Sequence, residues 1–518
     1  MPSIRSAATT PPAPAWKALG LLALWLLITL GLRPLLLPDE GRYANVAREM
    51  LLSGDGISFL TQPPLLNGLP FFHKPPLMYW LDMAAMALLG VNPFSARFAP
   101  FVGAWVMAAA LFFAVRRWHG PLLARRTLLV LATCPFFFIG AQYANLDMLV
   151  GGLITATVLA FARALDGEFR SLRWLLIAWA CAAASVLAKG LIGVLLPALV
   201  VGPWLLAQRR WRDVLWLLHP AGLLLFAALA LPWFVAMQWR YPGFFDYFIV
   251  EQHFRRFAQA SFNNVHPAWF YVAVLPALTL PWSLWLPAAL RSAWRERAGP
   301  QRAQLVLCAW WIVAVVGFFS LPSSKLVGYV LPALAPWCWL LSLAVVPYQR
   351  AARWALVTAG VACLAIVVLL ASPTLMAALK LEPPASSKSA AAVLAAQIAP
   401  GDRIVFVDEM FYDLPFYAGL KQPVVVASDW ADPALPLRDN WRKELFDAAR
   451  FNPARGRELL WPIDRLNELT CHAGATWFAL RPANAARMAQ VPGAVAANHV
   501  VSADRGVQLM RAPARFCP

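Results

Sequence analysis

Residues 96–117 read ARFAPFVGAWVMAAALFFAVRR, an almost uninterrupted apolar run that ends in Arg116 and Arg117. A run of about 20 apolar residues is long enough for a helix to cross the roughly 30 Å hydrocarbon core of a bilayer. Comparable runs recur from about Trp16 to Ser372. The sequence therefore predicts an all-α polytopic membrane bundle over the larger, N-terminal part of the chain.

The composition also favours a membrane protein. Of the 518 residues, 60% are hydrophobic and 14% are charged, whereas soluble globular proteins carry about 25% charged residues. The net charge of +18 lies in short arginine clusters between apolar segments, not along one soluble face. Because such clusters indicate membrane orientation, we predict contacts with membrane lipids and no nucleic-acid partner.

The arginine clusters also predict the topology. Placing them in the cytosol gives about 11 transmembrane helices, within a range of about 11 to 13, and puts the chain after about Pro373 outside. The segment Pro75 to Gly90 is interpreted as a helix at the outer interface, because counting it as a span would move arginine clusters to the wrong side. The predicted spans are roughly 17–37, 96–115, 126–143, 148–165, 174–190, 191–207, 214–238, 268–289, 303–320, 327–346 and 354–373.

The chain divides into a transmembrane domain, residues 1–375, and a small soluble α/β domain, residues 376–518. Juxtamembrane helices are expected at about 40–95. In the first of them, Glu40 to Ser53, an apolar face separates from Arg42, Asn45 and Glu49, which is typical of an amphipathic helix along the interface.

The tail, residues 376–518, has its own local patterns. Strands are predicted at 403–408 and 423–427, and a helix at 387–399. Cys471 and Cys517 are candidates for a disulfide if the tail is extracytoplasmic, with two unpaired thiols as the alternative. The other five cysteines lie in apolar runs, where they act as small hydrophobic side chains.

Two acidic positions lie at the same predicted membrane face. Asp39 follows the first span, and Asp147 is the one acid in the short outer turn between the third and fourth spans. Either acid alone is explained by capping of a helix. Together they suit a general base and a second group that orients the nucleophile.

Basic side chains lie on the same predicted side and suit a phosphate-bearing lipid. A lone lysine at an interface usually only extends toward water, but several cations beside two acids favour a site. His73, Glu251 and His253 also suit a divalent metal such as Zn, Mg or Mn. The cations are Lys74, Lys189, Arg255, Arg256 and Lys325.

Taken together, these motifs resemble the bacterial lipid A aminoarabinose transferases. With the protein O-mannosyltransferases, that family forms a group of GT-C type membrane glycosyltransferases that use polyprenyl-phosphate sugars. The match runs in order through about 330 residues, and the tail resembles the family only in position and general kind. The matching segments are Pro38-Asp39-Glu40-Gly41-Arg42-Tyr43, Arg48-Glu49-Met50, His73-Lys74-Pro75-Pro76-Leu77, Lys189-Gly190, Glu251-Gln252-His253-Phe254, and Ser324-Lys325-Leu326-Val327-Gly328-Tyr329 with Pro332.

The resemblance implies an inverting transfer of a sugar from undecaprenyl phosphate to lipid A or another acceptor at the periplasmic face. It implies that Asp39 is the catalytic base and that Asp147 orients the acceptor or donor. It further implies a monomer in the bacterial inner membrane, with a cytosolic N-terminus, a periplasmic tail and no required cofactor. The residues it places around the donor phosphate and lipid are Arg42, Tyr43, Lys74, Lys189 and Tyr329.

One departure from the family leaves the sugar and the acceptor open. Aminoarabinose transferases often carry Glu before the lysine of the Lys-Pro pair, where this chain has His73. The sequence therefore leaves open whether the sugar is 4-amino-4-deoxy-L-arabinose or another sugar. A protein O-glycosyltransferase is the alternative enzyme, a transporter or flippase of lipid-linked sugars is the alternative from another class, and a structural anchor for the tail is a third reading.

Overall fold

The structure, a computed structural model, describes residues 15–54, 61–167, 169–255, 264–345, 349–381, 385–497 and 506–515. In this part of the chain, apolar helices form a bundle, and a six-stranded sheet with short helices follows it. Arg256 and Cys517, two positions singled out above, lie outside the described residues.

The helical membrane bundle is confirmed. Within the described chain, 7 helices are long and apolar enough to cross a membrane, and two further helix pairs pass the same test but bend by 66° and 107°. When the shorter apolar helices Ala15–Leu27 and Ile192–Ala207 are included, each predicted span corresponds to one helix or one bent pair. The number of membrane crossings stays a prediction. The seven are Ser95–His119, Leu146–Ala164, Leu172–Lys189, Pro220–Arg240, Arg302–Ser320, Val327–Ala344 and Ala352–Ala371, and the pairs are Pro121–Ala132 with Pro135–Ala141 and Phe270–Leu278 with Trp282–Arg295.

The helix Leu146–Ala164 is the centre of the bundle, with 89% of its apolar window buried. It packs closely against the helix Phe98–His119 at Gly103 and Gly152, where an added Cβ would overlap the backbone of the other helix. Small residues allow such close approach of helices in a membrane. By contrast, only 22% of the window in Ala352–Ala371 is buried, so this helix lies at the lipid-facing periphery.

The first predicted span is shorter than expected. Its helix ends at Leu27, and turns follow it before Pro34, whereas the prediction extended to 37. Arg33, near the end of the predicted span, is 5% exposed and binds Glu40. The sequence pattern counted this arginine as part of an apolar run and did not identify its buried partner.

The juxtamembrane helix, Asp39–Ser53, does not have the exposed polar face expected of an interfacial helix. Asn45 is fully buried, and Glu49 accepts hydrogen bonds from Asn45 and from the amides of Asn67 and Gly68 at 2.7 to 3.0 Å. The helix is covered because Leu77–Leu89 packs on one side and the tail packs on the other. Leu77–Leu89, with 13 residues, is too short to cross a bilayer.

The C-terminal sheet is mixed. Four strands are parallel, in the order Leu460–Pro462, Val425–Ser428, Arg403–Val407 and Thr476–Leu480, and Gln508–Ala512 and Val495–Ala496 continue the sheet with antiparallel pairings. The strands predicted at 403–408 and 423–427 are confirmed, as is the helix predicted at 387–399, found at Lys388–Gln397. The domain boundary at 375/376 stays a prediction.

The tail is docked directly on the membrane part. Asn67 makes two hydrogen bonds of 2.8 Å with the backbone of Val424, and the Leu35 amide donates to the Tyr417 hydroxyl at 2.7 Å. Cys471 is disulfide-bonded, which agrees with the predicted bridge as far as the described residues extend. The five cysteines in apolar runs are free.

The remaining elements are short. They include a two-stranded hairpin, a π-helical segment and connecting helices. Their bounds are Leu65–Leu66 and Leu69–Pro70 for the hairpin, Asp246–Arg255 for the π-helix, and Trp211–Leu217, Pro373–Ala378, Leu414–Ala418, Trp441–Ala449 and Pro453–Leu459 for the α-helices, with 3-10 turns at Ser95–Arg97, Trp282–Trp285, Glu296–Ala298, Val327–Ala333, Leu435–Leu437, Ile463–Thr470 and Pro482–Gln490.

Candidate active site

Asp39 and Asp147 each lie at the start of a helix. Asp39 is the first residue of Asp39–Ser53, and Asp147 is in the first turn of Leu146–Ala164, where its amide donates to the Asn145 side chain at 2.8 Å. A helix N-terminus favours a carboxylate because the aligned peptide dipoles end there with partial positive charge. Burial raises the pKa of Tyr43, and the charges of both acids raise it further. Glu40, next to Asp39, accepts a hydrogen bond of 2.7 Å from the amide of Ala144, three residues before Asp147, so the segments that carry the two acids lie side by side.

Arg42 joins Asp39 to the C-terminal tail. Its guanidinium donates to Asp39 Oδ1 at 2.6 Å and also pairs with Glu444, which accepts a hydrogen bond from Tyr412 at 2.6 Å. The rings of Tyr43 and Tyr412 lie 5.1 and 5.9 Å from the guanidinium carbon. Arg42 Nε is buried without a hydrogen-bond partner among the described residues, so one donor of this cation is available to a ligand.

Lys189 and Asp147 form the second half of the site. Lys189, the last residue of Leu172–Lys189, pairs with Asp147 Oδ1, and its ammonium lies 4.4 Å from the ring centre of Tyr329. Gly328 packs against the Asp147 carboxylate, where an added Cβ would overlap Oδ2. The position therefore requires glycine for space.

A buried ion cluster around Glu40 lies behind Asp39. The Glu40 carboxylate is fully buried, pairs with Arg33, and accepts from Arg97 at 2.8 and 3.1 Å. Burial alone would raise the pKa of Glu40, but the charges of Arg97 and Arg33 outweigh it and lower the pKa to about 2. Its oxygens also accept from the Leu36 and Ala144 amides at 2.9 and 2.7 Å. Glu40 thus ties together the two segments that precede Asp39 and Asp147.

Two predicted phosphate-binding lysines differ in their surroundings. Lys74 is half-buried and lies in the segment between buried Phe72 and the helix that carries Tyr79, whose ring centre is 6.2 Å from that of Tyr43. Lys325 is 2% exposed, and its ammonium binds the carbonyls of Pro322 and His266, the latter at 2.9 Å. In this conformation Lys325 braces a loop, which does not support direct contact with the donor phosphate.

The predicted metal ligands are not gathered into one cluster within the described residues. His73 stacks on Phe71 with ring centres 4.5 Å apart, and Glu251 lies 3.7 Å from Arg450 of the tail. No group of three potential metal-ligating side chains is present in the part of the chain that is described. The side chains of His253 and Arg255 are outside that part, so a divalent metal and the role of Arg255 stay predictions.

Several residues of the site were not found from the sequence. Glu444 and Tyr412 come from the tail, where no motif marked them. Arg33 and Arg97 did carry a signal, because an arginine within an apolar run needs a buried partner. In the structure the buried partner of both arginines is Glu40, which was not predicted to be a site residue.

The arrangement can perform group transfer that involves an anionic leaving group. Asp39 is the more exposed carboxylate, with 35% of its side chain accessible against 11% for Asp147, so it is the one open to a substrate hydroxyl. Arg42 and Lys189 supply fixed positive charge at the same site. Preorganised cations stabilise negative charge that develops on a departing phosphate.

Comparison with known proteins confirms the resemblance predicted from the sequence. Residues 73–239 match the family described as dolichyl-phosphate-mannose-protein mannosyltransferase. The chain is 36% identical over 333 residues to an undecaprenyl phosphate-alpha-4-amino-4-deoxy-L-arabinose arabinosyl transferase of Pseudomonas aeruginosa (strain LESB58), covering 63% of this chain and 58% of the relative. A transferase of the same name from Erwinia tasmaniensis is 34% identical over 324 residues, covering 62% of this chain and 57% of that relative. The chain thus spans less than two thirds of the length of the relatives it matches.

Solved structures share the fold over nearly the whole chain. The crystal structure of ArnT from Cupriavidus metallidurans bound to undecaprenyl phosphate superposes with a TM-score of 0.77, at 22% sequence identity, covering 98% of this chain and 100% of that chain. The apo state of the same protein gives a TM-score of 0.75, at 21% identity, and covers 96% and 97% of the two chains. These similarities establish the fold class, a helical membrane bundle of the same architecture.

Proposed function

We propose that this protein is an inverting glycosyltransferase that moves a sugar from undecaprenyl phosphate to a lipid A-like glycolipid of the cell envelope. The observation that carries the proposal is the close approach of the segments that carry Asp39 and Asp147, which Glu40 joins through the Ala144 amide at 2.7 Å, with Arg42 and Lys189 paired to the two acids. The names of the similar proteins support an undecaprenyl phosphate donor and make 4-amino-4-deoxy-L-arabinose the first sugar to test.

In the proposed reaction, an acceptor hydroxyl attacks the anomeric carbon of the sugar from the face opposite the phosphate. The new bond between the acceptor oxygen and carbon forms as the bond from carbon to the phosphate oxygen breaks, and the electron pair leaves with the phosphate. Asp39 takes the hydroxyl proton, since it has the more exposed carboxylate. A positioned general base contributes about 10²- to 10⁴-fold to such a step.

Arg42 and Lys189 act on the leaving group. The charge on the phosphate grows as the bond to the sugar breaks, so fixed cations stabilise the transition state more than the bound donor. The buried Nε of Arg42 is a donor without a hydrogen-bond partner among the described residues, which suits a phosphate oxygen. Asp147 holds Lys189 in place and supports the orientation of the substrates.

The direct test is transfer by purified protein from synthetic undecaprenyl-phosphate aminoarabinose to lipid A, followed by mass spectrometry. We expect product with the wild type and a loss of at least about a hundredfold with Asp39→Asn, because the amide cannot accept the proton. Asp464→Asn, which alters an exposed acid of the tail, is the matched control and should retain full transfer. Transfer by Asp39→Asn at the wild-type rate would remove the assigned role of Asp39.

A protein acceptor is the second candidate, favoured by the match of residues 73–239 to a protein mannosyltransferase family. The assay separates the two candidates when lipid A and a mixture of secreted polypeptides compete for labelled sugar. Label on the polypeptides alone would favour the second candidate. Movement of the intact donor across a vesicle membrane without cleavage would instead favour the transporter.

The membrane orientation is also proposed. We place the N-terminus in the cytosol and the site, with the docked tail, in the periplasm of a monomeric inner-membrane protein. The arginine-rich ends at Arg116 and Arg209 support a cytosolic assignment of those ends. Labelling of single cysteines at the exposed positions 464 and 116 by an impermeant reagent tests this, since only position 464 should react from the periplasmic side.

A further inference from the structure

A groove with a volume of ≈ 300 Å³ lies at the end of the bundle opposite the candidate active site. The helix Ser95–His119 begins where Arg97 binds Glu40 and ends at His119, just before the helix that carries Arg126 in the groove. Because the groove and the Glu40 cluster lie near opposite ends of this helix, the groove is separate from the site of transfer. Its volume is at the lower end of the range of about 300 to 1,000 Å³ that ligand pockets show.

Two arginines line this groove. Arg126 comes from Pro121–Ala132, and Arg353 comes from Gln349–Ala371, so the two cations lie on different helices. Arg126 Nη1 is buried and has no hydrogen-bond partner among the described residues. The described residues that line the groove include no acid. Because an arginine donor that is buried without a partner is costly in a membrane, a bound anion is expected here.

The other walls of the groove are apolar and open toward lipid. Leu129, Val130, Trp282 and Leu356 line it, and Leu129 is 49% exposed at the bundle surface. The helix that carries Leu356 is among the least buried of the bundle. Trp282 is held in place because its indole donates to Thr133 at 3.1 Å, at the bend between Pro121–Ala132 and Pro135–Ala141. An occupant therefore needs apolar chains as well as an anionic group.

We propose that this groove is a binding site for an anionic glycerophospholipid of the leaflet opposite the active site. The phosphate lies between Arg126 and Arg353, and an acyl chain lies along Leu129 and Trp282. A net-negative headgroup is preferred over a zwitterionic one, because the groove offers two cations and its described lining offers no carboxylate for an ammonium group. The bound lipid fixes the bend at Thr133 and the peripheral helix against the bundle.

Native mass spectrometry of the purified, delipidated full-length protein in detergent tests the site, with phosphatidylglycerol as the probe. We expect the double variant Arg126→Gln/Arg353→Gln to bind phosphatidylglycerol at least about tenfold more weakly than the wild type, since both charge-assisted contacts are lost. Arg116→Gln is the matched control, because Arg116 is exposed at the same end of the bundle and does not line the groove. It should bind as the wild type does.

A second variant addresses folding. Leu129→Trp fills the groove without changing its charge and should weaken binding similarly, while size-exclusion chromatography verifies that each variant is monodisperse. Three results would overturn the proposal: unchanged affinity of the double variant, equal binding of phosphatidylcholine, or displacement of phosphatidylglycerol by millimolar inorganic phosphate. The last result would indicate a site for a free anion.

Discussion

Replacing Glu40 by Gln tests the buried cluster that supports the active site. Glu40→Gln keeps the shape of the side chain but removes the negative charge between Arg33 and Arg97, which are 5% and 0% exposed. Two guanidinium groups would then be buried without a counter-charge. Removing one partner of a buried ion pair costs about 3 to 5 kcal/mol. We expect the free energy of unfolding to fall by at least that amount.

The assay is an SDS titration in mixed micelles, followed by tryptophan fluorescence. The control is Glu468→Gln, the same substitution in an exposed ion pair with Arg465, and it should leave the free energy of unfolding nearly unchanged. A loss of stability in Glu40→Gln as small as that in Glu468→Gln would refute the idea that Glu40 neutralises a buried cluster.

The pH dependence of the same variant gives a second measurement. The pKa of Glu40 is lowered from 4.5 to about 2, so its contribution to stability is present above pH 4.5 and is lost as the pH falls toward about 2. The stability gap between the wild type and Glu40→Gln should therefore be constant from about pH 5 to 8. A gap that closes within that interval would contradict the ion-pair assignment.

Three further predictions concern the surrounding site. Gly328→Ala forces a Cβ into the Asp147 carboxylate, and a displacement of about 1 Å should lower the transfer rate by up to about a hundredfold; an unchanged rate would show that the contact is tolerated. Burial raises the pKa of Glu49 to about 7, so the wild type loses stability as the pH rises from 4.5 toward 7. The difference in unfolding free energy between the wild type and the non-titrating Glu49→Gln should therefore shift in favour of Glu49→Gln between pH 5 and pH 8. A constant difference would argue against this pKa. Glu444→Gln removes the tail carboxylate that holds Arg42, and we expect about a tenfold loss of transfer in the same assay, which equal rates would disprove.

The sequence was sufficient to predict the helices of the bundle because each of them depends on a local property, the length of an apolar run. The helices Ser95–His119 and Arg302–Ser320 end within a few residues of their predicted bounds for this reason. The first span was predicted too long because Arg33 was counted as part of the apolar run, whereas in the structure it leaves the helix and binds Glu40, seven residues later. Long-range pairing of this kind is a property of the packed structure.

The candidate site likewise combines residues that the local sequence predicts with partners that only the packed structure reveals. Asp39 and Asp147 could be placed on one face from topology, and their common influence on Tyr43 agrees with that placement. Their neighbours Arg42 and Glu444 are 402 residues apart, and nothing in either local sequence predicts that the tail supplies a carboxylate to the membrane part. The covered face of the juxtamembrane helix has the same cause, since the tail that covers it belongs to another part of the chain.

In the proposed mechanism, Asp39 accepts the proton and Lys189 recognises the donor phosphate within one site. Parallel measurement of undecaprenyl phosphate affinity and of single-turnover transfer for Asp39→Asn and Lys189→Gln tests it most directly. We predict that Asp39→Asn binds undecaprenyl phosphate with wild-type affinity but loses transfer, whereas Lys189→Gln binds it about tenfold more weakly or worse. Wild-type affinity in Lys189→Gln together with wild-type transfer in Asp39→Asn would contradict the account.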